Sequence, residues 1–117
     1  MAKDEELIAS IGDVLAKRRN VTEKRMFGGV CFLLNGNMLV SAGRLRGRML
    51  VRVGKEGEAA AYKRGAKPME MRGRHMGGFV FAYPRNPREI KAWVETAEKF
   101  VRTLPAKPPK KMKARLP

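Results

Sequence analysis

Cysteine, histidine and tryptophan each occur once in this chain of 117 residues, and acids number 11 against 26 lysines and arginines. With Cys31 alone, no intrachain disulfide can form, and a structural zinc site would lack its thiolates. His75 would have to serve any histidine chemistry unaided. Neither Ser10 nor Ser41 has an acid placed by motif to complete a hydrolytic triad with it. No run approaches the roughly 18 uninterrupted apolar residues of a membrane helix. The opening MAKDEELIAS carries acids where a signal peptide would be basic and then apolar. These absences predict a soluble, cytoplasmic domain held together by packing, with no cofactor, metal or membrane partner.

The shortage of acids leaves a formal net charge of +15. Residues 105–117 hold Lys107, Lys110, Lys111, Lys113 and Arg115 without an acid, which leaves +10 on residues 1–104. The excess therefore belongs to the body as well as to the tail. Such a surface draws polyanions through its long-range field and through counterion release.

Hydrophobic spacing predicts an α+β domain over residues 1–104, followed by a disordered basic tail rich in proline and lysine over 105–117. From Asp4 to Arg19, Leu7, Ile8, Ile11, Val14 and Leu15 recur on one helical face, with acids at the start and bases at the end, as the helix dipole favours. VCFLL (30–34) and NMLVSA (37–42) flank Asn35-Gly36 as a hairpin. RMLVRV (48–53), KPMEMR (67–72) and GFVFAY (78–83) read as further strands, giving a mostly antiparallel sheet of five or six. KEGEAAAYKRG favours a short middle helix closed by Gly65. In NPREIKAWVETAEKFVRTL (86–104), Asn86 can cap, Pro87 suits the first helical position and Glu89 can complete a capping box. Its stripe of Ile90, Trp93, Val94, Ala97, Phe100, Val101 and Leu104 should cover the sheet, with Trp93 the largest anchor.

The pattern Arg-x-x-Gly-Gly-x-x-Phe appears twice, as RMFGGVCF (25–32) and RHMGGFVF (74–81). A phosphate loop sets its glycines between a strand and a helix. Gly28-Gly29 and Gly77-Gly78 each run instead into a β-type segment, where glycine marks a bulge or the close passage of another backbone. Cys31 lies mid-strand, as a small buried hydrophobe does. A Cys31/His75 thiol dyad is the one enzymatic arrangement the residues leave open.

GRLRGRMLVR carries Arg44, Arg46, Arg48 and Arg52, and RGRH adds Arg72, Arg74 and His75. Arginine forks pair well with phosphate oxygens, so these residues, with Lys107, Lys110, Lys111 and Lys113, form a candidate nucleic-acid track. A solvated loop and strand face would look the same in sequence. Phe79, Phe81 and Tyr83 could stack on bases if they shared an open face, but in so small a domain they read more economically as core.

The order of RMFGGVCFLLNGNMLVSAG, a strand ending VRVG, KPMEMRGRHMGGFVFAYP and a Trp-bearing last helix resembles the TfoX N-terminal domain family over about residues 20–104. That resemblance implies a bacterial α+β domain, here standing alone, with Met26, Phe27, Gly28, Gly29, Gly77, Gly78, Phe79 and Trp93 as fold-defining positions. It carries over no catalytic residue, and it implies a role in competence or transcription regulation. Two functions are thus expected to compete: a non-enzymatic regulator touching DNA or RNA through its basic surface, and a module that binds a protein partner or a second copy of itself.

Overall fold

Alternation along the strands decides which side of the sheet is buried. A computed structural model describes residues 2–26, 28–43, 47–71 and 73–106. Its six strands are β1 (Val21–Met26), β2 (Gly29–Leu34), β3 (Asn37–Ala42), β4 (Met49–Arg52), β5 (Lys67–Met71) and β6 (Arg74–Ala82). They form one antiparallel sheet in the order β1-β2-β3-β4-β6-β5. Three α-helices complete this α+β domain: α1 (Ala2–Leu15), α2 (Glu58–Lys63) and α3 (Pro87–Val101).

On one face Val30, Phe32, Leu34, Val40, Ala42, Met49, Val51, Val80 and Ala82 are all buried. They form a single core with Leu7, Ile11 and Leu15 of α1 and with Ile90, Trp93, Val94, Ala97 and Val101 of α3. Helix α3 lies across β3 and β4 and against α1, while α2 packs over β5 and β6. Arg64, just past α2, reaches α3 through Thr96, so the helices gather on one side.

The third helix starts as its sequence dictates. Asn86 Oδ1 accepts the Glu89 N–H at 3.0 Å, and Pro87 follows. The Glu89 carboxylate reaches back to the Arg85 N–H at 2.8 Å, one residue before the cap. That bond and the Arg85 guanidinium hold the Glu89 carboxyl below its usual range. Deeper along α3, Glu98 is nearly buried and accepts Arg18 Nε at 2.8 Å, Arg18 Nη2 at 3.2 Å and Arg102 Nη2 at 3.1 Å. Burial by itself would raise this carboxyl, but the bonds and charges of Arg18 and then Arg102 outweigh it and leave the group below the usual range. The clamp pins the segment after α1 to α3.

Three boundaries differ from the sequence expectation. Helix α1 stops at Leu15, and the chain turns through Asn20, at φ 66°, before it enters β1. VTEKRM was not expected to be a strand, because its one β-branched apolar residue is outnumbered by polar ones; as an edge strand it needs no apolar face. β6 begins at Arg74 rather than Gly78, so Arg74 and His75 belong to the β5–β6 hairpin.

Glycine is required where β2 meets the end of β3. A Cβ on Gly29 would stand 2.5 Å from the Ala42 carbonyl oxygen and 2.8 Å from that of Gly43, and one on Gly43 would stand 2.7 Å from Gly29 Cα. Both obstacles are backbone, which cannot swing aside. Gly12 in α1 has open space around it.

Two outcomes follow for stability. Gly29→Ala should cost about 3 kcal/mol by overpacking, whereas Gly12→Ala should gain up to about 1 kcal/mol of helix propensity; urea denaturation measures both. Glu98→Gln should cost about 2 kcal/mol at pH 7, from bonds to charged groups. Because the folded Glu98 carboxyl lies below its unfolded value, the clamp's contribution is full above the unfolded pKa, near 4.3, and falls away as pH drops through the folded one. The gap between wild type and Glu98→Gln should therefore close in unfolding curves taken below about pH 4.

Candidate nucleic-acid interface

Among the described residues no helix packs across the second face of the sheet, and α3 reaches only its margin, where Phe100 meets Arg52. Register places Thr22 and Lys24 of β1, Cys31 and Leu33 of β2, Leu50 and Arg52 of β4, Phe79 and Phe81 of β6 and Lys67 of β5 on this side. Ser41 joins them from β3. One cross-strand row runs the full width of the sheet: Lys24, Cys31, Ser41, Leu50, Phe81, Lys67. Leu33, Leu50, Phe79 and Phe81 are half-buried there.

Phe79 and Phe81 therefore do not belong to the core, contrary to the sequence expectation. Val80 and Ala82 take the inward positions of β6, and the phenylalanines alternate with them. Tyr83, beyond the strand, is 47% exposed.

Arginine planes lie on these rings. The Arg48 guanidinium sits 4.1 Å from the Phe81 centroid. That of Arg52 lies 5.5 Å from Phe79 and 5.8 Å from Phe100. Such stacking holds a guanidinium at the sheet surface with little entropy left to lose when its N–H fork meets an anion. Among the described residues that register assigns to this face, Lys24, Arg52 and Lys67 carry charge and none is a carboxylate. Arg48, which precedes β4, adds a fourth cation through its ring contact.

The other expected residues fall elsewhere. Arg74 is exposed at the β5–β6 hairpin, opposite Met71 and separated from Phe79 by a register shift in the β5–β6 pairing. Arg44, Arg46, Arg72, Lys107, Lys110, Lys111 and Lys113 lie outside the described residues, as does Phe27. Met26 ends β1, and Gly28 lies between β1 and β2 at φ 80°. Trp93 is buried under α3, where Arg64 stacks on it at 3.8 Å and donates to Thr96 Oγ1 at 2.8 Å. Sequence reading missed Arg64, because nothing in KRG marks a stacking partner 29 positions away.

The Gly77-Gly78 pair does not cradle phosphate. Gly78 turns at φ 89°, its N–H donates to a Glu58 carboxylate oxygen, and its carbonyl accepts the N–H groups of Val53 at 2.8 Å and Gly54 at 3.0 Å. The amide that a phosphate would need already serves an anion of the protein itself. Gly77 is exposed beside the Lys55 side chain.

A Cys31/His75 dyad is not assembled either. Cys31 is on β2 and His75 on β6, with β3 and β4 between them, roughly 14 Å across the sheet. Cys31 is only 6% exposed, and burial pushes its thiol up despite the nearby Lys24. Among the described residues no three His, Cys, Asp or Glu side chains are grouped to hold a metal, and no helix is long and apolar enough to cross a membrane.

The family model described as the TfoX N-terminal domain matches residues 13–103. The chain belongs to that family. The match takes in the last three residues of α1 and all of the sheet, and it ends just after α3, so both faces of the sheet lie within the TfoX N-terminal domain. No curated protein and no solved structure matches the chain.

One outcome checks the state of Cys31 in this TfoX N-terminal domain. Alkylation by iodoacetamide at pH 8 should run at least about tenfold slower in the folded protein than in urea, because a buried thiol with a raised pKa offers little thiolate. A native rate equal to the unfolded one would contradict the burial described.

Proposed function

We propose that this TfoX N-terminal domain is a non-enzymatic regulatory module that contacts nucleic acid through phosphate-directed cations. The reading rests chiefly on one observation: Lys24, Arg48, Arg52 and Lys67 share a helix-free face on which register places no carboxylate. The basic residues Lys107, Lys110, Lys111 and Lys113 would extend the same field. Contacts of this kind position a polyanion and read no bases, so binding should tolerate any sequence.

A second reading draws on the sheet edge. Among the described residues β1 has no neighbour beyond it, its residues Thr22, Glu23, Lys24 and Arg25 are exposed, and it contains no proline. The opposite edge, β5, carries Pro68. An edge strand can add a strand from a partner protein or from a second copy, and the charges of Glu23, Lys24 and Arg25 would select a partner of complementary charge. Pull-down after nuclease treatment separates the two readings, since partners retained then are not bridged by nucleic acid.

The leading reading is tested by fluorescence anisotropy with the full chain and labelled single-stranded and duplex DNA. For about four phosphate contacts, affinity should fall about a hundredfold between 50 and 200 mM salt. Arg48→Gln with Arg52→Gln should reduce the salt slope by about 2. Absence of binding at low salt, or binding that salt does not weaken, would remove the proposal.

A further inference from the structure

We infer that the helix-free face is a platform for single-stranded nucleic acid and not for duplex. The inference rests on the nucleic-acid reading above and adds the form of the strand. The face is broad and apolar between its charges: Leu33, Leu50, Phe79 and Phe81 are half-buried on it, and Arg48 and Arg52 lie against two of the rings. Duplex DNA admits a helix or a two-stranded ribbon to its major groove, about 12 Å wide. Six adjacent strands spaced about 4.8 Å apart span roughly 24 Å between the two edges, too wide to enter.

Against a duplex, only rim cations would touch phosphate, and the aromatic centre would meet nothing, because the base faces are stacked inside. A single strand offers both chemistries at once. Its bases can lie on the Phe81–Arg48 and Phe79–Arg52 stacks and on Leu50 between them, while its phosphates run out to Lys24 at one edge of the sheet and Lys67 at the other. Stacking on rings and guanidinium planes tolerates any base. The order cation, uncharged row, cation along Lys24, Cys31, Ser41, Leu50, Phe81, Lys67 matches a strand lying across the sheet and not along it.

The test uses the full chain with labelled oligo(dT) and oligo(U) of about ten nucleotides, a size within the range of known single-strand sites, and with a duplex of equal length. Both single strands should bind at least tenfold more tightly than the duplex, and the ratio of dT to U reports whether DNA or RNA suits the face better. Phe79→Leu with Phe81→Leu should weaken single-strand binding at least tenfold, leaving the salt slope and duplex affinity unchanged. Leu50→Glu, which leaves the rings in place and adds a carboxylate at the centre of the face, should abolish single-strand binding; circular dichroism checks that each variant is folded. Equal affinity for duplex and single strand, or a folded Leu50→Glu variant that binds like wild type, overturns the platform while leaving salt-dependent nucleic-acid contact intact. Failure of every oligonucleotide to bind overturns both.

Discussion

The fold depends on one-sided burial. The stripe of α3, with Trp93, Val94, Ala97 and Val101 turned inward, meets Val40, Met49, Val51 and Val80 on a single face of the sheet, and α1 extends that cover with Leu7, Ile11 and Leu15. Apolar area removed from water supplies most of the favourable free energy, at about 25 cal/mol for each Å². Three helices gathered on one side commit that area to one face and, among the described residues, leave the other without a helical layer. Everything distinctive about the surface follows from that asymmetry.

Polar contacts hold the asymmetric arrangement in register. Glu98, accepting Arg18 and Arg102, fixes the segment after α1 against α3, and Asp4 accepts the Gly47 N–H at 2.9 Å to tie the start of α1 to the β3–β4 connection. Asn37 donates to the Pro105 carbonyl at 2.9 Å and holds the chain after α3 near the β2–β3 hairpin. At Gly78 the Glu58 carboxylate and the backbone of Val53 and Gly54 meet, joining β4, β6 and the start of α2. These bonds direct side chains toward the covered face and its margins. The bare face keeps its cations and half-buried rings.

Much of this was legible in the sequence because the local signals agreed. Asn86-Pro87 and the 3.6-residue stripe marked α3, and Asn35-Gly36 between two apolar runs marked the β2–β3 hairpin. β1 stayed hidden because an edge strand can be polar on both faces, as VTEKRM is. The fate of Phe79 and Phe81 was illegible for the opposite reason: in GFVFA every position is apolar, so period 2 cannot say which set points inward. Pairing with β4 decides it, since Val51 lies opposite Val80 and Arg52 opposite Phe79. Clustering of Arg48 and Arg52 was visible in sequence, but their shared face with Lys24 and Lys67 is a product of strand order.

The account stands on the claim that the helix-free face is where nucleic acid lies. Amide chemical-shift mapping of the labelled full chain during titration with oligo(dT) tests it most directly. The largest changes should fall on Lys24, Cys31, Ser41, Leu50, Phe81 and Lys67, one on each of the six strands, with α1 and the body of α3 little affected. Changes concentrated on α1 and α3, with the bare face silent, would contradict it.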